Sequence, residues 1–163
     1  MGIFVHISSS RINMDRTERA CKYHESGCNC CQSVVAAFSD VTGLSEAESL
    51  RIGGGFGSGA GTGELCGAIT GAVMTLGMLA PVDPDNPAAV KKQAVALSKE
   101  FQARFKEKFG ALRCQELLPL RCEPGDATPA AKRLGLTAQQ HCRIMIVTAA
   151  EIVDAMISER GLA

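Results

Sequence analysis

From Leu65 to Val82 the chain carries no charged residue, and glycine recurs within the run at Gly67, Gly71 and Gly77. This stretch limits the fold more than any other. A helix that is apolar on every side must be surrounded by other protein or by lipid. The run reaches the lower limit of about 17 residues for a membrane span. It also holds Cys66, Thr70, Thr75 and Pro81, however, and lacks basic or aromatic flanks. It therefore reads as a central buried helix from about Thr62 to Leu79, stopped by Pro81, with no membrane association. Gly55, Gly59, Gly63, Gly67 and Gly71 recur at every fourth position. The last three would share one face of that helix and let a neighbouring backbone come close.

The remaining segments read as helices packed around this one. Asp15 opens a helix to about Glu25, with Ser26-Gly27 as the stop. A second runs from Asn29 or Cys30 to Val41, with Cys30, Val34, Ala37, Phe38 and Val41 on one face and Thr42-Gly43 at its end. Ser45 and Glu48 form a capping box for a short helix to Ile52. Asn86-Pro87 starts a long helix in which Val90, Ala94, Leu97, Phe101, Phe105 and Phe109 recur at amphipathic spacing up to Gly110. Cys114 to Leu118 adds a turn of helix, Pro119 to Pro129 reads as loop, and a short helix reaches Leu134. Thr137 caps a last helix to about Glu159, with Cys142, Met145, Ala149, Val153 and Met156 on one face. No run alternates as a strand would. The expectation is an all-α, single-domain bundle with a central Gly-rich buried helix. Residues 14–163 would form the domain and 1–13 a poorly ordered extension.

Seventeen Lys plus Arg balance seventeen Asp plus Glu, so no basic excess points to a nucleic-acid partner. The start, Met1-Gly2-Ile3-Phe4-Val5-His6-Ile7, has too short an apolar run and no preceding positive charge for an export signal. A cytoplasmic location is expected. Eight cysteines in a reducing compartment point to metal or redox chemistry rather than to structural disulfides.

The glycine-dense segment from Gly53 to Gly63 resembles a phosphate loop but lacks the Walker Gly-Lys-Ser/Thr and any preceding strand. Close backbone packing, with Gly55, Gly57, Gly59, Gly67 and Gly71 as the close-approach positions, is the better reading. Cys28-Asn29-Cys30-Cys31 contains a Cys-x-x-Cys without the βαβ setting of a thioredoxin motif. Cys21, His24 and Cys28 share one helical face if the first helix continues, which allows a zinc site, but no second Cys-x-x-Cys completes it. Cys30, Cys66 and Cys142 each fall near a helix start, where the helix dipole favours thiolate. Only His6, His24 and His141 could act as bases beside the thiols, which argues against a hydrolase or a Cys–His catalytic pair.

An ordered series of residues from about Met14 to Glu159 resembles the redox-active family named for its C-GCAxxG-C-C pattern. The series comprises Asn29-Cys30 opening a Gln-x-Val-Val helix, Gly-Gly-Gly-Phe-Gly at 53–57, and Cys66-Gly67-Ala68-Ile69-Thr70-Gly71. It continues with Met74-x-Leu76-Gly77, Phe109-Gly110-x-x-x-Cys114-x-Glu116-Leu117-Leu118, and Cys142 ahead of Ala149-Ala150-Glu151-Ile152. The resemblance carries the four family cysteines onto Cys30, Cys66, Cys114 and Cys142. Cys31 stands where similar proteins have Ala, and Cys21, Cys28 and Cys122 are additional; these four are candidate accessory thiols, with Cys31 the alternative to Cys30 as the working thiol. A related domain accompanies haem modules in split-Soret cytochromes, where an iron–sulfur centre is implied. The expectation that follows is electron transfer through a Cys₄-ligated cluster, [2Fe–2S] in form, in a component of an oxidoreductase with a redox partner protein. Alternatives are metal-free thiol–disulfide exchange, with Cys30 or Cys31 attacking and Cys66 or Cys142 resolving, and a structural zinc module. Homodimer formation is left open.

Overall fold

The computed structural model describes residues 14–120 and 128–163. Among these the chain is all-α, with nine α-helices and no strand. They are α1 Arg16–Glu25, α2 Cys30–Ala37, α3 Ser39–Thr42, α4 Glu46–Ile52, α5 Gly67–Leu79, α6 Pro87–Phe109, α7 Cys114–Leu117, α8 Pro129–Arg133 and α9 His141–Arg160. Residues 1–13 lie outside the described residues, as do the middle of the expected loop at 119–129 and Cys122 within it.

Local chemistry accounts for most of the boundaries. Asp15 caps α1 by accepting the Glu18 amide, and Asn86 caps α6 ahead of Pro87. Ser45 with Glu48, and Asn29 with Gln32, form complete capping boxes on α4 and α2. Gly43, Gly110 and Gly161 end α3, α6 and α9 in the left-handed conformation.

The central apolar helix is α5, and Gly67, Ala68, Ile69, Gly71, Ala72, Thr75 and Leu76 on it are buried. It lies against α2, α6 and α9. The contact with α2 is close because two of its residues lack a side chain. A Cβ on Gly71 would stand 2.8 Å from the Cys31 carbonyl oxygen, and one on Gly67 would stand 3.1 Å from Cys30 Cβ, as well as 2.8 Å from the Phe56 carbonyl oxygen in the glycine segment. The other wall of the core is α6, where Phe101, Phe105 and Phe109 are buried and the last two rings lie 4.7 Å apart. Only the half of the α6 stripe from Leu97 onward is fully buried; Val90 and Ala94 are half-buried. Along α9 most residues from Ile144 to Ile157 are buried. Arg16 on α1 joins α3 and α9, bonding Asp40 at 2.8 Å and Asp154 at 2.6 Å.

Three boundaries differ from expectation. The central helix starts at Gly67 rather than Thr62. Ser58, Gly59, Ala60, Gly61 and Gly63 all take positive φ, which no right-handed helix accommodates, and residues 59–63 instead form one wide π turn. Gly63 is therefore not on the shared glycine face. The second helix stops at Ala37, and Phe38 separates it from α3. Thr137 caps a 3₁₀ turn, Ala138–Gln140, before α9 begins at His141. No helix among the described residues is long and apolar enough to cross a membrane.

Candidate metal centre

Cys30 is the first residue of α2, Cys66 the N-cap of α5, Cys114 the first residue of α7 and Cys142 the second of α9. Up to 112 positions separate these cysteines, from Cys30 to Cys142, yet with Leu117, Leu118 and Met145 the four thiols line one apolar cavity of about 20 Å³. That is room for roughly one water molecule. The N-terminal ends of α2, α5 and α9, where the helix dipole is positive, thus meet where the sulfurs do.

The start of α2 is pinned from two directions. Asn29 Oδ1 accepts the Gln32 amide and Gln32 Oε1 accepts the Asn29 amide, each at 2.9 Å. The remaining side-chain donors reach the glycine segment and α4: Asn29 Nδ2 donates to Gly53 and Gly54 carbonyls at 3.2 and 3.0 Å, and Gln32 Nε2 to the Leu50 carbonyl at 2.9 Å. Two glycines make room for this cap. A Cβ on Gly57 would fall 2.7 Å from Asn29 Cβ, and one on Gly53 would fall 2.8 Å from Gln32 Cα. Asn29-x-x-Gln32 is a capping signature legible in the sequence, whereas nothing local marks Gly53 as its partner.

Cys114 is held differently. Its amide donates to the Glu64 carbonyl at 2.6 Å while the Cys66 amide donates to the Leu112 carbonyl at 2.9 Å, which makes an isolated antiparallel bridge between Leu65 and Arg113. Glu64 and Arg113 close an exposed ion pair beside it at 2.6 Å. Gly59, at φ +62, turns under this bridge; a Cβ there would stand 2.5 Å from the Glu64 nitrogen and 3.0 Å from Cys114 Cβ. Of the five expected close-approach glycines, Gly57, Gly59, Gly67 and Gly71 meet neighbours within 3 Å. Gly55 has open space around its missing Cβ and is not one of them.

The four thiols feel one another. The neighbouring Cys142 raises the pKa of Cys30 and the neighbouring Cys30 lowers that of Cys142, while burial raises both. His141 also hydrogen-bonds to the Cys142 sulfur and favours its thiolate, and the His141 Nε2 is buried without a partner among the described residues. Burial pushes Cys66 up to about 11 against the amides of Ala68 and Ile69, which favour its thiolate. Cys114 is raised by burial and by Cys142.

The extra thiols stand apart from the cavity lining. Cys31 is fully buried, its sulfur 3.7 Å from Met74 Sδ, and burial pushes it up to about 12. Cys21 is buried with its sulfur 3.9 Å from Glu25 Oε1, and Cys28 is half-buried. Among the described residues no three His, Cys, Asp or Glu side chains are grouped so as to hold a metal ion, and this covers both the Cys21–His24–Cys28 arrangement and the set Cys30, Cys66, Cys114 and Cys142.

A family model described as "Putative redox-active protein (C_GCAxxG_C_C)" matches residues 28–156, a span that includes all four cavity cysteines. No curated protein and no solved structure matches the chain significantly.

Proposed function

Because the chain belongs to the C_GCAxxG_C_C family of redox-active proteins, we propose that its cavity thiols hold an iron–sulfur cluster of the [2Fe–2S] type and that the protein transfers electrons to a partner oxidoreductase. The observation that carries this reading is the convergence of Cys30, Cys66, Cys114 and Cys142 on one apolar cavity. Donor type and number suit a Cys₄-ligated cluster.

When bound, the cluster would supply a one-electron carrier. The rest belongs to the chain. Leu117, Leu118 and Met145 line the cavity with the thiols and limit the access of water to it. The amide-bearing ends of α2, α5 and α9 offset the negative charge of four thiolates. His141 donates to Cys142, favouring the ligand form of that thiol. A cavity of about 20 Å³ must widen to take a cluster, and α7 is the wall best able to yield, since Leu117 is its only buried residue.

The test is iron and acid-labile sulfide analysis with a visible spectrum on protein reconstituted anaerobically. About two irons and two sulfides per chain are expected, and serine at Cys30, Cys66, Cys114 or Cys142 should bleach the spectrum while serine at Cys21, Cys28 or Cys31 leaves it. A colourless, iron-free product would overturn the reading, and a colourless zinc-bound one would favour the structural alternative.

A further inference from the structure

The longest helix among the described residues is α6, yet its first half lies outside the core. From Pro87 to Ala96 no residue is buried, and Val90 and Ala94, which extend the apolar stripe of Leu97, Phe101 and Phe105, are only half-buried. A helical segment this short gains little from propensity alone and owes its order to what it packs against. Among the described residues its outer side is left uncovered: Ala88 and Ala96 are exposed, and Val95 is 43% exposed.

The charge on that outer side has one sign. Lys92, Lys99 and Lys106 follow one another at every seventh position, which keeps them on one face over about 21 Å. Lys91 lies at its edge. All four are exposed, and none has an ion-pair partner among the described residues. The two acidic residues of α6, Glu100 and Glu107, each stand about 100° round the helix from the adjacent lysine. Glu100 is moreover bonded to Arg104 and Arg160, at 2.7 and 2.5 Å. Between the lysines the surface is small and apolar. Ala88, Val95 and Ala96 line an open hollow of about 470 Å³ together with Lys91, Lys92 and Lys99.

We propose that this face of α6 docks an acidic amphipathic helix of another protein. The partner's Asp or Glu row would lie against Lys92, Lys99 and Lys106, with its apolar side chains in the hollow at Val95. Three other occupants fit the face less well. A second copy of the chain would bring the same positive row against itself. A membrane would find no Leu, Phe or Trp on the face to insert. Nucleic acid would meet one short lysine row with no Arg or aromatic side chain in it. The inference does not depend on a metal in the cysteine cavity.

The probe is a fluorescein-labelled helical peptide about three heptads long, with Glu at every seventh position and Ala and Leu in the rows beside it. It is titrated by fluorescence anisotropy against the full-length reduced protein, with a scramble of identical composition as control. The striped peptide should bind at least about tenfold tighter than the scramble and should weaken as salt is raised. Lys92→Glu, Lys99→Glu and Lys106→Glu together should cost at least about tenfold, whereas Lys22→Glu on α1 should change binding by less than about twofold. Comparing peptide with scramble on the unaltered chain keeps the test decisive should the triple variant misfold. Equal binding of the two peptides, or binding that survives in the triple variant, overturns the proposal. Preference for phosphatidylglycerol vesicles or for duplex DNA over the peptide overturns it too, as does a dimer in sedimentation that the triple variant dissolves.

Discussion

Cys30 and Cys142 stand on helices whose other residues fill the core, and Cys66 caps a third. Cys114 stands on a four-residue helix with one buried side chain. The same contrast runs through the glycines. In α5, Gly67 and Gly71 are there because a Cβ would collide with α2, in a backbone that any residue could adopt. In the turn at 59–63, Gly61 has open space where its Cβ would be and is needed for its φ of +75. One side of the cavity is thus a packed frame and the other a bent loop held by a two-residue bridge and an exposed ion pair. Three thiols set in a frame and one on a yielding wall can combine a defined ligand geometry with access to it.

This contrast can be broken by mutation. The largest effect is expected in the frame. Phe105 is fully buried between Phe101 and Phe109, and Phe105→Ala should cost about 3–5 kcal/mol in urea unfolding. Leu118, on the cavity's other wall, is 49% exposed, and Leu118→Ala should cost less than about 0.5 kcal/mol. Similar losses from the two would mean that the walls do not differ.

Next come the helical glycines. Gly71→Ala drives a methyl group toward the Cys31 carbonyl and Val34, and should destabilise by about 1–3 kcal/mol in the same assay. Gly77, on the same helix, meets nothing within 4 Å, so Gly77→Ala should stabilise by about 0.5–1 kcal/mol. A loss at both positions would remove the α2–α5 contact as the explanation.

In the turn the effects are smaller and reverse with conformation. Ala60 sits at φ +56, so Ala60→Gly should relieve strain and raise stability by about 0.5 kcal/mol net of glycine's entropy. Gly61→Ala should lower it by about 1 kcal/mol. Differential scanning calorimetry resolves the pair, and equal signs would sink the conformational account.

The smallest effect belongs to the frame's outer edge. Burial alone would raise the Asp15 carboxyl, but Arg133, Thr17 and the Glu18 amide outweigh it and hold it at about 2. A depressed carboxyl stabilises the fold above its ordinary pKa of 3.8 and loses that contribution as pH falls through about 2. The side chain is largely exposed, so less than about 1 kcal/mol is at stake. Asp15→Asn should flatten the fall in unfolding free energy over that acid range and change little at neutral pH; an unchanged acid slope would count against the role of the cap.

Much of the frame was legible because its causes are local in sequence. The Ser45–Glu48 and Asn86-Pro87 caps, the Phe101-Phe105-Phe109 repeat and the uncharged run at Leu65 to Val82 each state their structure within a few residues. Gly67 and Gly71 declared themselves by spacing. The turn did not, because alternating Gly-x-Gly is compatible with loop or helix, and only positive φ at the non-glycines Ser58 and Ala60 decides against the helix. The role of Gly53 was equally out of reach, because it depends on which segment lies opposite. The sequence did mark Cys31 as an extra thiol, but its burial against Met74 depends on the rotation of α2 over α5.

Sequence by itself determined an all-helical chain, a central helix that must be buried, and four cysteines near helix starts, because capping, dipoles and periodicity act over three or four residues. Only tertiary structure decided that these starts face one cavity and that Cys114 lies on the weaker wall. Those facts depend on contacts between segments up to 112 positions apart in the chain. They are set by how closely α2 and α5 can approach, which the absence of two side chains makes possible.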